Sequence, residues 1–128
     1  MKLGYTIFYV PNVEKTLSFY EKAFNCKIKF QHEGGDYAEL DTGNTTLAFV
    51  SFDLAESHKT GFDRKLKAST CNDMEIAFIS EDVEKSYAHA LQAGAIAVSK
   101  PHAQPWGQVI CYVRDLNGFL IEICSPVG

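Results

Sequence analysis

The segment Val13-Glu14-Lys15-Thr16 recurs as Val83-Glu84-Lys85-Ser86, 70 residues further along the chain. Each copy follows a short, mainly apolar run, residues 5–10 in the first copy and residues 75–80 in the second. Self-similarity at a fixed spacing is typical of one supersecondary unit that occurs more than once and that does not bury its apolar face alone. The sequence therefore predicts two equivalent halves.

The two copies also end alike. Residues 41–49, DTGNTTLAF, align with residues 115–123, DLNGFLIEI. Equivalent residues of two related units occupy equivalent structural positions. We therefore expect the functional positions on the strands that both halves contribute.

The bulk properties are those of a globular protein. A length of 128 residues fits one domain, residues 1–128, with a hydrophobic fraction of 46% and a charged fraction of 22%. The net charge is −4 and no basic stripe occurs, so we expect no nucleic-acid partner. No apolar run approaches the roughly 20 residues of a membrane span, and no signal peptide is recognised, so we expect a cytoplasmic protein without a membrane partner.

Cysteine usage supports the same location. The chain has 4 cysteines, and none of them forms a CxxC pair. We interpret Cys26, Cys71, Cys111 and Cys124 as reduced thiols that pack as small apolar side chains rather than as a zinc site.

The first half, residues about 3–52, shows the pattern strand, helix and three strands. We predict strands over residues 5–10, 27–32, 37–40 and 45–52, and a helix over residues 13–24. Asn12 is the predicted N-cap of the helix, and Asn25 ends it. Residues about 53–72 are polar and are predicted as a linker, with one helical turn around residues 62–66.

The second half, residues about 73–126, repeats this order. We predict a strand over 74–80, a helix over 83–93 with Gly94 as its C-cap, and a strand over 95–99. A proline-containing loop follows at 101–107, and strands at 108–114 and 119–124 form the last hairpin. Arg114 and Asp115 are predicted to fix that hairpin.

A βαβββ unit that occurs twice resembles the glyoxalase/bleomycin-resistance/extradiol dioxygenase superfamily, also called the vicinal oxygen chelate superfamily. The motifs that carry the resemblance are VEKTLSFY at 13–20, PWGQ at 105–108 and RDLNGFLIE at 114–122, where Leu116 replaces the usual proline. The resemblance implies an α+β fold in which two tandem βαβββ units form a curved, half-barrel mixed sheet around a ligand cavity. It also implies a homodimer.

The resemblance further implies where a metal would bind. The four ligand positions of metal-dependent relatives correspond to Tyr5, Ala48, Glu75 and Glu122, and the repeat pairs Tyr5 with Glu75 and Ala48 with Glu122. Ala48 offers no donor atom, and a phenol with a pKa of about 10 is a poor ligand. Transition metals prefer imidazole to a pair of carboxylates. We therefore predict no metal and no cofactor; the alternative is a divalent metal held by Glu75 and Glu122.

Two carboxylates among aromatic side chains favour a cationic or planar ligand. The candidate ligand-binding residues are Tyr5, Ala48, Glu75, Trp106, Tyr112 and Glu122. Further candidate walls are Phe8, Tyr37 and Phe49; for Phe8 and Phe49 a place in the core is the alternative. For Glu122 the alternative is a structural hydrogen bond to Tyr5.

Two histidines are also related by the repeat. His32 and His102 either face each other at a cavity mouth or are exposed loop residues. No Ser/His/Asp or Cys/His arrangement and no glycine-rich phosphate loop accompanies them in the sequence. Nucleophilic catalysis and phosphate binding are therefore not expected.

Three functions follow from these residues. The favoured hypothesis is a binding protein of the bleomycin-resistance type, which sequesters a planar or cationic small molecule, such as an antibiotic, without a metal. The alternative is a metal-dependent glyoxalase-like lyase or isomerase, or a dioxygenase, with Glu122 and Glu75 as catalytic residues. The third is a protein-interaction or regulatory module without a ligand-sized pocket.

Overall fold

The computed structural model describes residues 1–62, 64 and 74–127. Its backbone contacts divide the chain into two compact units, unit one (Met1–Lys65) and unit two (Leu66–Gly128). Among the described residues, no helix combines the length and the apolar character that crossing a bilayer requires.

Unit one is a four-stranded mixed sheet with helices. Its elements are β1 (Tyr5–Val10), α1 (Val13–Phe24), β2 (Lys27–Gln31), β3 (Tyr37–Asp41), β4 (Thr46–Ser51) and α2 (Phe52–Ser57). The strand order is β1-β4-β3-β2, with β1 parallel to β4 and the other pairs antiparallel. The sheet is open, since β1 and β2 are its two edges.

Unit two repeats this topology. Its elements are β5 (Ile76–Ile79), α3 (Val83–Gln92), β6 (Ile96–Ala103), β7 (Val109–Arg114) and β8 (Leu120–Cys124). The strand order is β5-β8-β7-β6, and β5 is parallel to β8. The prediction of two tandem βαβββ units is confirmed.

Both long helices begin at the predicted repeat motif because an N-cap side chain precedes each. The Asn12 side chain accepts a hydrogen bond from the Lys15 backbone N–H at 2.9 Å, and Asp82 accepts one from the Lys85 N–H at 3.0 Å. These bonds satisfy one of the free N–H groups that every helix N-terminus leaves. Asn25 ends α1 in the left-handed region at φ 55°.

The core of unit one lies between α1 and one face of the sheet. Tyr20 of α1 is fully buried, and its ring packs against Phe49 of β4 at 4.8 Å between centroids. Phe8 of β1 packs on the same Phe49 ring at 6.3 Å. Because side chains alternate along a strand, these contacts decide which residues point away from the helix.

We call the sheet surface away from the helix the distal face. In unit one it carries Tyr5, Ile7 and Tyr9 from β1, Tyr37 and Glu39 from β3, and Ala48 from β4. In unit two Ile121 and Ile123 of β8 are buried, so Glu122 lies on the distal face. Its neighbour in register is Tyr112 of β7.

One helix was not predicted. Residues 52–57 form α2, whose N-cap Ser51 accepts a hydrogen bond from the Leu54 N–H at 3.1 Å, although the stretch from residue 53 was predicted as a linker. The helix has only 6 residues, of which Ala55 alone is buried, so it is too short to show the apolar periodicity that reveals a helix in sequence. The predicted turn at 62–66 lies largely outside the described residues.

The strand predicted at 95–99 is longer than expected. It continues to Ala103 through Pro101, and the predicted proline loop shrinks accordingly. Strand β6 is an edge strand with two register shifts, and a proline on an edge costs no hydrogen bond to an inner neighbour. The C-cap of α3 is Ala93 rather than Gly94, which follows it at φ 108°.

The last hairpin is held by its own charged residues, as predicted. A single Asp115 carboxylate oxygen accepts the backbone N–H groups of Asn117 at 2.8 Å and Phe119 at 2.9 Å. Arg114 donates from Nη1 to the Gly118 carbonyl at 2.9 Å, and Gly118 has φ 91°. The turn therefore fixes the start of β8 and with it the position of Glu122.

Candidate functional site

The distal face of unit two brings three predicted site residues together. The Tyr112 hydroxyl donates to Glu122 Oε1 at 3.0 Å, from the neighbouring position in the β7–β8 register. Glu75 lies immediately before β5, which pairs with β8 on the other side. The phenol that donates to Glu122 is thus that of Tyr112, where the sequence had offered Tyr5.

The two carboxylates interact with each other. The pKa of Glu75 is raised, first by loss of hydration and then by a hydrogen bond to Glu122 and by the charge of Glu122. Tyr112 acts in the opposite direction on Glu75 by offering a hydrogen bond. Two neighbouring carboxylates resist double ionisation, so this pair favours a shared proton or an added cation.

The charge of this pair extends to its neighbours. Burial, the hydrogen bond to Glu122 and the two carboxylate charges raise the pKa of Tyr112 to about 12. Burial and the same carboxylates raise the pKa of the Cys124 thiol. Both groups therefore stay protonated near neutral pH, and Tyr112 serves as a hydrogen-bond donor.

The other two family positions lie in unit one. Tyr5 begins β1 and is 54% exposed. Ala48 is fully buried in β4, with Ile7 as its register partner on β1 and Glu39 as its partner on β3. The position that carries a carboxylate in unit two thus carries a methyl group in unit one.

A second tyrosine–glutamate pair was missed by the sequence analysis. The Tyr37 hydroxyl donates to Glu39 Oε2 at 2.7 Å on the distal face of unit one. Burial, the hydrogen bond to Glu39 and the charge of Glu39 raise the pKa of Tyr37, with a smaller contribution from Tyr5. The available signal was the alternation of Tyr37, Glu39 and Asp41 along β3, which places all three side chains on one face.

Trp106 lies in the turn before β7 and is 66% exposed. Its Nε1 donates to Gln108 Oε1 at 2.9 Å, and Gln108 Nε2 donates to the Ser125 carbonyl at 2.9 Å. These two bonds hold the indole in place while much of its ring surface remains exposed. Such a ring is suited to stacking against a flat ligand.

Some other candidates have structural roles. Phe8 and Phe49 are buried in the core between α1 and the sheet, which was their stated alternative. His32 is exposed, and its Nδ1 lies 2.8 Å from Asp36 Oδ1. His102 is also exposed, with Nδ1 at 2.8 Å from the Lys100 carbonyl.

The cysteines within the described residues are free thiols. Cys111 and Cys124 are buried, and Cys26 is partly buried. Burial raises the pKa of both Cys26 and Cys111 to about 11, so these thiols are protonated at neutral pH. Cys71 lies outside the described residues.

The donor set does not fit the four-ligand metal centre that the superfamily implies. Ala48 contributes no donor atom, and Tyr5 would have to bind as a phenolate. Within residues 1–62, 64 and 74–127, no group of three or more His, Cys, Asp or Glu side chains is placed to hold a metal ion. A metal bound by Glu75 and Glu122 alone would need most of its ligands from solvent.

The duplicated βαβββ topology defines a protein of the glyoxalase/bleomycin-resistance/dioxygenase superfamily. Residues 3–128 match the family model of the glyoxalase-like domain, and the chain belongs to this family. The uncharacterized protein YraH of Bacillus subtilis (strain 168) is 26% identical over 124 residues, which are 96% of this chain and 97% of YraH.

Solved structures show the same fold. A glyoxalase-related enzyme from Fulvimarina pelagi superposes with a TM-score of 0.81 at 16% identity, covering 98% of this chain and 88% of that one. A glyoxalase/bleomycin resistance protein/dioxygenase family enzyme from Burkholderia phytofirmans PsJN gives 0.79 at 16% identity, covering 98% of both chains. At this identity the likeness extends to the fold alone.

Proposed function

We propose that this protein binds a planar, cationic small molecule at the distal face of unit two and sequesters it without a metal. The observation that carries the proposal is that β8, which carries Glu122, lies between Tyr112 on β7 and the strand that follows Glu75, so negative charge is concentrated beside an aromatic ring. Trp106 supplies an exposed aromatic surface in the same unit. The superfamily includes proteins of the bleomycin-resistance type, for which this chemistry is suitable.

The carboxyl pair explains why a cation is the preferred ligand. A proton shared between Glu75 and Glu122 relieves their repulsion, and an organic cation placed between them relieves it equally well. The Tyr112 hydroxyl holds Glu122 in one orientation, which lowers the entropy lost on binding.

A metal-dependent enzyme is the second candidate, and the same pair of carboxylates favours it. Carboxylates bind magnesium or manganese, with water completing the coordination shell. The missing donor at Ala48 argues against the nickel, zinc or iron centres that rely on imidazole.

A calorimetric titration of chelator-stripped protein with nickel, zinc, manganese and ferrous ions separates the two candidates. We expect no stoichiometric binding for any of the four ions. Binding tighter than about micromolar that disappears in Glu122→Gln would overturn metal-free sequestration in favour of the metal-dependent enzyme, whose reaction lyase and dioxygenase assays would identify.

Binding of a planar cation is tested with proflavine, which is a monocation at neutral pH, against the uncharged acridone. Fluorescence anisotropy of each dye gives the affinity without relying on the tryptophan. We expect proflavine to bind more tightly than acridone, and Glu122→Gln and Trp106→Ala each to weaken proflavine binding about tenfold, or about 1.4 kcal/mol. The exposed Glu81→Gln is the matched control in unit two. Equal affinities for the two dyes would refute the proposal.

The homodimer implied by the resemblance and a cytoplasmic location remain proposals. Light scattering coupled to size exclusion distinguishes one copy from two. A monomer across the micromolar range would remove the dimer from the proposal and leave the ligand site of unit two unchanged.

A further inference from the structure

The distal face of unit one carries the ammonium group of Lys29, which a bulge in β2 places there. In the β2–β3 register, Ile28 pairs with Leu40 and Phe30 pairs with Glu39, so Lys29 is the extra residue of a β-bulge. A bulge redirects side chains relative to the regular alternation of a strand. Lys29 uses this freedom to reach across the sheet, and its Nζ donates to Thr46 Oγ1 on β4 at 3.2 Å.

The same face carries a separately anchored negative charge. Glu39 accepts a hydrogen bond from Tyr37 through Oε2, which leaves its other oxygen for a further donor. Among the described residues, no ion pair joins Lys29 to Glu39. The two opposite charges are thus held apart, one by Thr46 and the other by Tyr37.

Exposed apolar surface adjoins both charges. Phe30 follows Lys29 in the bulge, is 48% exposed, and lies 6.3 Å from the Tyr37 ring between centroids. Tyr5 of β1 is also more than half exposed. Flat apolar rings beside two separated charges are complementary to a molecule that has an aromatic part and charges of both signs.

Unit two shows that this arrangement is particular to unit one. Its edge strand β6 has a bulge at the equivalent place, between Ala97 and Ser99, and the extra residue there is Val98. Ser99 then pairs with Tyr112, as Phe30 pairs with Glu39 in unit one. The equivalent bulge therefore delivers an apolar side chain to unit two and an ammonium group to unit one.

We infer that the distal face of unit one is a binding site for a small aromatic zwitterion of the amino-acid class. Lys29 holds its anionic group, Glu39 holds its ammonium group, and Phe30 and Tyr5 contact its ring. This site uses none of the residues of the cation site proposed for unit two. Each can therefore fail without the other.

The test uses three forms of one compound: L-phenylalanine, which carries both charges, L-phenylalaninamide, which carries only the positive charge, and N-acetyl-L-phenylalanine, which carries only the negative one. Each is titrated into the ¹⁵N-labelled full chain, and backbone amide shifts of β3 and β4 report binding. We expect the zwitterion to bind about tenfold more tightly than either singly charged form, the factor for one charge-assisted hydrogen bond.

Two variants identify the charged partners. Lys29→Gln should reduce the affinity for phenylalanine to that for phenylalaninamide, and Glu39→Gln should reduce it to that for N-acetylphenylalanine. Lys27→Gln on the same strand and Glu33→Gln in the following turn are the matched controls, and both should bind like the wild type. The inference is overturned if the three compounds bind equally or not at all, or if Asp41→Asn removes the preference while Glu39→Gln does not.

Discussion

Unit one and unit two have the same strand topology but carry different side chains at equivalent positions. In unit two the last strand carries Glu122, and the strand beside it carries the tyrosine that donates to it. In unit one the last strand carries Ala48, and the strand beside it carries both the tyrosine and the glutamate. The strand register is the same in both units, but the carboxylate lies on β8 in unit two and on β3, the neighbour of the last strand, in unit one. Sheet geometry therefore fixes where a functional group can point, and the side chain at each position decides what it does.

The edge strands give the same lesson. Each contains a bulge at an equivalent place, so the local backbone irregularity has been kept in both units. The bulge residue is Lys29 in one unit and Val98 in the other. A conserved backbone feature thus supports a charged surface in unit one and an apolar one in unit two.

The largest predicted difference between the units is in how much a side chain at the last hairpin contributes to the free energy of unfolding. In unit two, buried Asp115 accepts two backbone N–H groups, whereas in unit one Thr42 Oγ1 accepts the Leu47 N–H at 3.0 Å and donates to the Thr45 carbonyl. A hydrogen bond to a charged group is stronger than a hydrogen bond to a hydroxyl. Asp115→Ala should lower the free energy of unfolding by about 2–4 kcal/mol, and Thr42→Ala by about 1 kcal/mol. Urea denaturation measures both.

A conservative control belongs to this experiment. Asp115→Asn keeps an acceptor oxygen and should lose less stability than Asp115→Ala. If Thr42→Ala proved as costly as Asp115→Ala, the contrast between the two hairpins would be wrong.

The N-caps of the two long helices should contribute equally to stability in the two units. Asn12 and Asp82 accept the same type of backbone hydrogen bond at the start of α1 and α3. Asn12→Ala and Asp82→Ala should each cost about 1 kcal/mol, as measured by the same unfolding experiment. Neutral Asn12→Ala beside a costly Asp82→Ala would show that the helix starts are not equivalent.

The smallest effect is a pH dependence specific to unit two. The raised pKa of Glu75 means that the folded state binds the proton more tightly than the unfolded state. This contribution to stability is present below the unfolded pKa of about 4.5 and is lost as pH rises through the folded pKa. Glu75→Gln should therefore become more stable than the wild type as pH rises from 4 to 8.

The size of this gain should be below about 1 kcal/mol, since Glu75 is exposed and solvent screens its charge. Thermal unfolding at several pH values measures it, with Glu33→Gln in unit one as the matched control. A difference in stability between Glu75→Gln and the wild type that does not change from pH 4 to pH 8 would contradict the raised pKa of Glu75.

Much of the fold was predictable because the signals were local. The repeated motif, the alternation of apolar residues and the capping Asn12 predicted β1 and α1 with the bounds that the structure has. Two features were not predicted, helix α2 and the extension of β6, because the local sequence gives no signal for either. Helix α2 is only 6 residues long, and β6 continues through Pro101 only because it lies at a sheet edge.

The candidate site was only partly predictable. The repeat identified Glu75 and Glu122, and sequence placed Tyr112 among the candidates, but the hydrogen bond between Tyr112 and Glu122 depends on the register of β7 against β8. The Tyr37–Glu39 pair and the reach of Lys29 to Thr46 were absent from the prediction. The first depends on which face of the sheet each β3 side chain occupies, and the second depends on the bulge in β2.

The sequence by itself determined the duplicated βαβββ order, the family and the loss of a donor at Ala48, since each is a property of residue identity and spacing along the chain. Tertiary structure alone decided which charges meet. Residues that are 10 positions apart, such as Tyr112 and Glu122, become neighbours through strand pairing, whereas a one-residue bulge sends Lys29 across a sheet. Register and bulges arise from packing of the whole sheet, and no local pattern encodes them.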